Sequence, residues 1–109
     1  MLIALDNDGT FTAMPEVWTK FVELARSAGA EVVCISSRFP QVPVSGFPGK
    51  VYYTCGQQKW EWADEHGMKV DIWIDDMPCC IGGPPGLEPG QAKQRRELIR
   101  QIFAQNGMG

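Results

Sequence analysis

The chain has no C-x-x-C pair, no internal repeat, no low-complexity segment and no surplus of positive charge. Nor does it have an apolar run near the roughly 18 residues that cross a bilayer. Each absence closes off a class. Four cysteines (Cys34, Cys55, Cys79, Cys80), two of them adjacent, suggest neither a disulfide framework nor a four-ligand zinc site, so reduced thiols are expected. Thirteen acids against ten bases give a net charge of −3, which offers no global attraction to nucleic acid or to an anionic membrane. The opening MLIALDNDG turns acidic before the apolar region of a signal peptide could form, and a soluble, cytoplasmic protein without membrane association is expected.

What is present suits one compact domain over 1–109, with 44% of its 109 residues hydrophobic. The charge is uneven: Lys93, Arg95, Arg96 and Arg100 face only Glu97 in the last nineteen residues, +3 there against −6 for the rest. Residues 2–6 (LIALD) are apolar on both faces, as in a strand buried within a parallel sheet. From Pro15 to Ala28, Val17, Trp18, Phe21, Val22, Leu24, Ala25 and Ala28 recur at helical spacing, with proline in the first turn and Gly29 beyond the end. Further strands are expected at 31–36 (EVVCIS), 50–55 (KVYYTC) and 70–75 (VDIWID), with a Pro- and Gly-rich loop from Phe39 to Gly49. A second helix is expected over 57–66, although Trp60, Glu61 and Trp62 also fit a strand alternation. An irregular loop follows from Cys80 to Gly90, then a helix over 91–105 that buries Ala92, Leu98, Ile99, Ile102 and Phe103, and a frayed tail. This order implies an α/β fold with a parallel sheet and right-handed crossovers.

In such sheets ligands bind beyond the carboxyl ends of the strands. Strand ends deliver Asp6 and Asp8, then Ser36, Ser37 and Arg38, then Asp75 and Asp76, and the turn after the third strand leads to Lys59. Adjacent strands sit about 4.8 Å apart, where two carboxylates repel by about 3 kcal/mol at an effective dielectric near 20, so four acids on one rim call for a cation. Carboxylate and carbonyl oxygens favour a hard divalent ion, and Mg²⁺ is the usual one where a phosphate completes the shell. Lys59 opens a helix, where a cation opposes the macrodipole, and a nearby anion would offset that cost.

These residues resemble the haloacid dehalogenase-like (HAD) phosphohydrolases. LIALDNDGT is similar to the first family motif, a hydrophobic strand running into Asp-x-Asp-Gly-Thr. VVCIS resembles the second, Lys59 ahead of a helix the third, and IWIDD the fourth; together they span residues 2–76 in family order. Receiver domains also cluster aspartates, a Ser/Thr and a lysine, but their lysine comes last, whereas Lys59 precedes Asp75 and Asp76.

The resemblance implies a single Rossmann-like domain with four strands in the order 3-2-1-4 and a Mg²⁺-dependent phosphomonoesterase site. Asp6 is then the nucleophile that forms an aspartyl-phosphate, and Asp8 the general acid and base. Ser36 and Lys59 engage the phosphoryl group, with Gly9, Thr10, Ser37 and Arg38 beside the substrate. Mg²⁺ is held by Asp6, the Asp8 carbonyl and one acid of the pair, Asp76 preferred, with Asp75 behind it. The sequence departs from most relatives in having no room for a cap domain, which implies a large or extended phosphoester such as a nucleic-acid end or a phosphoprotein. The alternative from another class is an idle HAD-like module that binds metal, phosphate or a protein.

Blander readings stand beside these. Lys50 competes with Lys59; His66 reads as structural; Cys79 and Cys80 read as a buried or incidental pair; the four tryptophans read as core, with Trp60 and Trp62 on different helix sides. The basic last helix reads as a solvated face. The fourth strand would lie at a sheet edge, consistent with a monomer or weak homodimer.

Overall fold

The computed structural model describes residues 1–83 together with 100 and 101. Strand β1 (Leu2–Leu5) leads through a 3₁₀ turn at Phe11–Ala13 into helix α1 (Pro15–Ser27), followed by β2 (Glu31–Ser36), β3 (Val51–Tyr53), helix α2 (Lys59–Glu65), β4 (Ile72–Ile74) and a second 3₁₀ turn at Pro78–Cys80. The four strands form one sheet in the order β3-β2-β1-β4, and every pairing is parallel. In register, Ile3 lies between Val32 and Ile72, and Cys34 faces Val51. The expected strand order and α/β class are therefore those observed.

The crossovers put one helix on each face. On the α1 face Ile3 and Val32 pack under Val22, with Phe21, Ala25, Phe47 and Ile74 around them. On the α2 face Ala4, Val33 and Ile35 pack under Trp62 and Ala63. Because β1 is covered on both faces and paired on both edges, Leu5 has no exposed surface. The chain runs outward from β1 to β2 and β3, then returns to pair β4 on the opposite side of β1. That reversal opens the crevice between the carboxyl ends of β1 and β4.

Several expectations need correction. Strand β3 is shorter than 50–55, since Cys55 takes a left-handed backbone (φ 54°) and turns the chain away. Strand β4 is shorter than 70–75: the Leu2 N–H is met by the Asp71 carboxylate at 2.7 Å, which replaces a ladder bond. Helix α2 starts at Lys59 rather than 57, and the Trp60 N–H donates to the Ile81 carbonyl at 2.8 Å, pinning the helix to the chain beyond β4. In α1, Val17 (56%) and Leu24 (70%) are exposed, because the sheet takes the neighbouring stripe of Trp18, Val22 and Ala25. Trp62 is core and stacks on His66, whose ring nitrogen lies 2.7 Å from the Trp62 carbonyl, while Trp60 is half-buried on another side of α2. The expected loop through Gly90 and the helix over 91–105 lie outside the described residues, apart from the loop's start at 80–83 and the exposed, helical Arg100 and Gln101. Among the described residues no helix is long and apolar enough to cross a membrane.

Leu5→Ala should cost about 2–5 kcal/mol, as expected for truncation in a sealed core. Leu24→Ala should stay within about 0.5 kcal/mol. Urea denaturation of both variants measures this; comparable losses would mean that Leu24 is covered in solution.

Candidate active site

Asp6 ends β1 while still in the sheet's ladder, since its N–H donates to the Ile74 carbonyl at 2.9 Å. The chain then folds back in a tight turn: Thr10 and Thr12 N–H groups both donate to the Asn7 carbonyl, Phe11 N–H donates to that of Asp6, and Gly9 N–H donates to the Thr12 hydroxyl. Gly9 has φ +81°, and a Cβ there would collide with the Asp76 carboxylate. Glycine is thus required both by the backbone and by the acid pressed against it. The Thr10 hydroxyl accepts the Asp76 N–H at 3.1 Å and lies 3.0 Å from Asp76 Oδ1 and 3.3 Å from Asp6 Oδ2. Gly9 and Thr10, expected beside the substrate, join the ends of β1 and β4.

At the centre is Lys59. Its side chain is 2% exposed, and Nζ donates to Asp6 Oδ1 at 2.7 Å and to Asp75 Oδ2 at 2.6 Å. Lys50, the competing candidate, is exposed. The remaining Asp75 oxygen accepts the Met77 N–H at 2.9 Å, so both oxygens of Asp75 are committed. Asp6 Oδ2 and Asp76 Oδ2 carry lighter duties, and ligand atoms of Asp6, Asp75 and Asp76 lie within 4.8 Å of one another. Two negative charges at that separation repel by about 3 kcal/mol at an effective dielectric near 20.

The titration behaviour follows. Burial pushes the Asp6 carboxyl above its ordinary value; the Lys59 bond opposes this and the Asp75 charge adds to it. Burial would depress Lys59, but its bonds to Asp6 and Asp75 together carry it upward, so the ammonium stays charged. Asp8 goes the other way. Arg38 grips it with a fork, Nη2 to Oδ1 at 2.6 Å and Nε to Oδ2 at 2.9 Å, and that bond holds the Asp8 carboxyl below the usual range. The third arm of Arg38 donates to the Pro43 carbonyl at 3.0 Å and reaches that of Val42 at 3.4 Å, so one side chain ties Asp8 to the segment after β2.

A cavity of about 170 Å³ opens between these groups, lined by Asp6, Asp8, Ser37, Lys59, Asp75 and Asp76, with Met77 and Cys80 at its margin. Ser36, expected to meet the phosphoryl group, is 0% exposed: it is still in the sheet, its carbonyl accepting the Thr54 N–H, and its hydroxyl accepts the Arg38 N–H at 3.1 Å. Ser37, the first residue off the sheet, lines the cavity instead. Cys79 is exposed and Cys80 half-buried, so of the two expectations, buried or incidental, the buried one does not hold. Sequence spacing gave no sign of the Arg38–Asp8 fork, whose partners lie 30 residues apart; both being strand-end residues was the one available signal.

The site fits a hard divalent ion. Its donors are all oxygens, two of them on Asp6 and Asp76 and free of strong competing bonds, and three carboxylates against one ammonium leave a charge of −2 to balance. Compared with protein-family models, curated proteins and solved structures, the chain matches none.

Lys59→Met leaves Asp6 and Asp75 buried without their cation and should cost about 3–5 kcal/mol in the presence of a chelator. Urea denaturation showing a loss under about 1 kcal/mol would mean that the carboxylates are hydrated or neutral rather than held by Lys59. Burial pushes the Cys34 thiol up to about 12, with the Asp6 charge adding to it. Alkylation of the native protein at about pH 8 should therefore modify exposed Cys55 and Cys79 and spare Cys34 until the pH nears that value. Peptide mapping that finds Cys34 alkylated as fast as Cys55 would contradict its burial.

Proposed function

We propose that the chain is a Mg²⁺-dependent phosphomonoesterase of the HAD-like type, working through an aspartyl-phosphate on Asp6. One observation carries this reading. Lys59 sits between Asp6 and Asp75, with Asp76 held across Gly9 and Thr10, at the point where the sheet's strand order reverses. That arrangement restrains one Asp6 oxygen, leaves the other available, and supplies positive charge where a phosphoryl group would lie.

Asp6, Asp76 and the Asp8 backbone carbonyl would hold the ion, and when bound it supplies charge neutralisation for the nucleophile and the phosphoryl oxygens. The chain's own residues do the rest. A carboxylate oxygen of Asp6 attacks phosphorus as the bond from phosphorus to the alcohol oxygen breaks, and that oxygen takes a proton from Asp8. Water then attacks phosphorus, Asp8 accepts its proton, and the bond between Asp6 and phosphorus breaks to release inorganic phosphate. Ser37, rather than Ser36, donates to a phosphoryl oxygen. Held by Arg38, Asp8 is a carboxylate, the form that serves the second half. For the first half Asp8 must be protonated and the fork must let go; a phosphoryl oxygen competes naturally for that guanidinium.

The same fork favours one other reading, a module that binds metal or phosphate without turnover. Hydrolysis of p-nitrophenyl phosphate separates the two. Wild type should turn over with Mg²⁺ and stop with chelator; Asp6→Asn should lose at least ~10³-fold in kcat and Asp8→Asn ~10²–10⁴-fold. Asp76→Ala should raise the Mg²⁺ requirement more than Asp75→Ala does. Calorimetric Mg²⁺ binding without turnover in wild type would select the idle module, and undiminished turnover by Asp6→Asn would refute the covalent route.

A further inference from the structure

The rim cavity is small, but a second one of about 540 Å³ lies along the start of α1. Its floor and sides come from Phe11, Pro15 and Thr12, its outer helix face from Glu16, Lys20 and Glu23, and its far wall from Ser45 and Gly46 in the segment after β2. One side is bonded directly to the turn after Asp6, and the other belongs to a segment linked to Asp8 through Arg38. Thr12 accepts the Gly9 N–H, and its own N–H, like that of Phe11, donates into the Asp6–Asn7 turn. The opposite wall belongs to the segment that Arg38 ties to Asp8 through the Val42 and Pro43 carbonyls, and Phe47 of that segment makes an edge contact with Phe11 at 5.4 Å.

Resting on the phosphatase reading, we infer that this second cavity receives the leaving group, and that the leaving group is a peptide carrying basic residues beside its phosphorylated side chain. Asp8 protonates the departing oxygen, so the departing group lies on Asp8's side of the phosphorus, and one wall is bonded to the turn that carries Asp8 while the other is linked to it through Arg38. The size suits this division. About 170 Å³ holds little beyond a phosphoryl group, whereas 540 Å³ falls within the roughly 300–1,000 Å³ of sites that enclose whole organic ligands. Charge selects the class. Glu16, Lys20 and Glu23 occupy one helix face at spacings of four and three, an excess of one carboxylate, and none of the three makes an ion pair within 4.0 Å among the described residues. A cationic side chain is favoured there over an apolar floor. The end of a nucleic acid would bring further phosphates against two carboxylates and is disfavoured.

The test uses the full chain with Mg²⁺ and four probes: two phosphoserine peptides of equal length flanked by arginines or by glutamates, a 3′-phosphorylated oligonucleotide, and p-nitrophenyl phosphate. The kcat/KM ratio of arginine to glutamate peptide should be about tenfold in wild type and fall below about threefold in Glu16→Gln/Glu23→Gln. A wild-type ratio near one, a ratio that survives the double substitution, or a preference for the oligonucleotide would overturn the inference. Fluorescence anisotropy of the labelled peptides on Asp6→Asn protein, with and without the same two substitutions, reads the cavity without chemistry. Binding that favours the arginine peptide and depends on Glu16 and Glu23, in a protein whose wild type ignores p-nitrophenyl phosphate, would uphold the subsite and refute the phosphatase. Turnover of p-nitrophenyl phosphate with no discrimination between peptides would do the reverse.

Discussion

A lysine ammonium with almost no exposed surface is tolerable only with anions around it, since burying an unpaired charge costs several kcal/mol. Lys59 meets that condition with two aspartates from different strand ends, and the rest of the site follows from it. The ammonium fixes one oxygen of Asp6, occupies Asp75, and places a cation at the start of a helix where the macrodipole alone would reject it. Two carboxylates on one ammonium still leave a buried surplus of negative charge, and the exposed Asp76 lies next to it. The cluster therefore keeps more negative than positive charge, which is why we propose a divalent ion as its complement.

Topology supplies this constellation cheaply. Strand β1 is buried on both faces and paired on both edges, so its end is held from both sides, and the reversal of strand order beside it leaves a crevice at the carboxyl ends of β1 and β4. The turn after Asp6 then has to serve two masters. It must bring Gly9 and Thr10 against Asp76, and it must send Phe11 and Thr12 outward to form the floor of the larger cavity. One turn of chain thus joins the acidic cluster to the larger cavity, and on the proposed function that link couples the phosphoryl site to the surface that would read the rest of the substrate.

The sheet was readable from sequence because strands buried on both faces leave unbroken apolar runs; the positions of Asp6, Asp75 and Asp76 were readable because strand ends are fixed by those runs, and that of Lys59 because it opens the helix after the third strand. Other features left no such trace. The apolar positions of α1 form two adjacent stripes, and only packing decides that Trp18, Val22 and Ala25 are covered while Val17 and Leu24 face solvent. Whether Ser36 or Ser37 faces the site depends on whether the ladder continues one residue further, and the bond from Thr54 N–H to the Ser36 carbonyl shows that it does. The grip of Arg38 on Asp8 joins residues far apart in sequence through two side chains, and it bears most on the proposed chemistry, since it holds ionised a carboxylate that the family resemblance casts first as an acid.

The central claim is that Asp6 becomes phosphorylated, and chemical trapping tests it most directly. Wild-type protein with Mg²⁺ is mixed briefly with a phosphomonoester and quenched into borohydride, which reduces an acyl phosphate to an alcohol. The account predicts that peptide mapping finds Asp6 converted to homoserine, only with substrate present, and no other aspartate altered. Steady turnover with no reduced residue, or reduction at Asp8, Asp75 or Asp76 in its place, would contradict it.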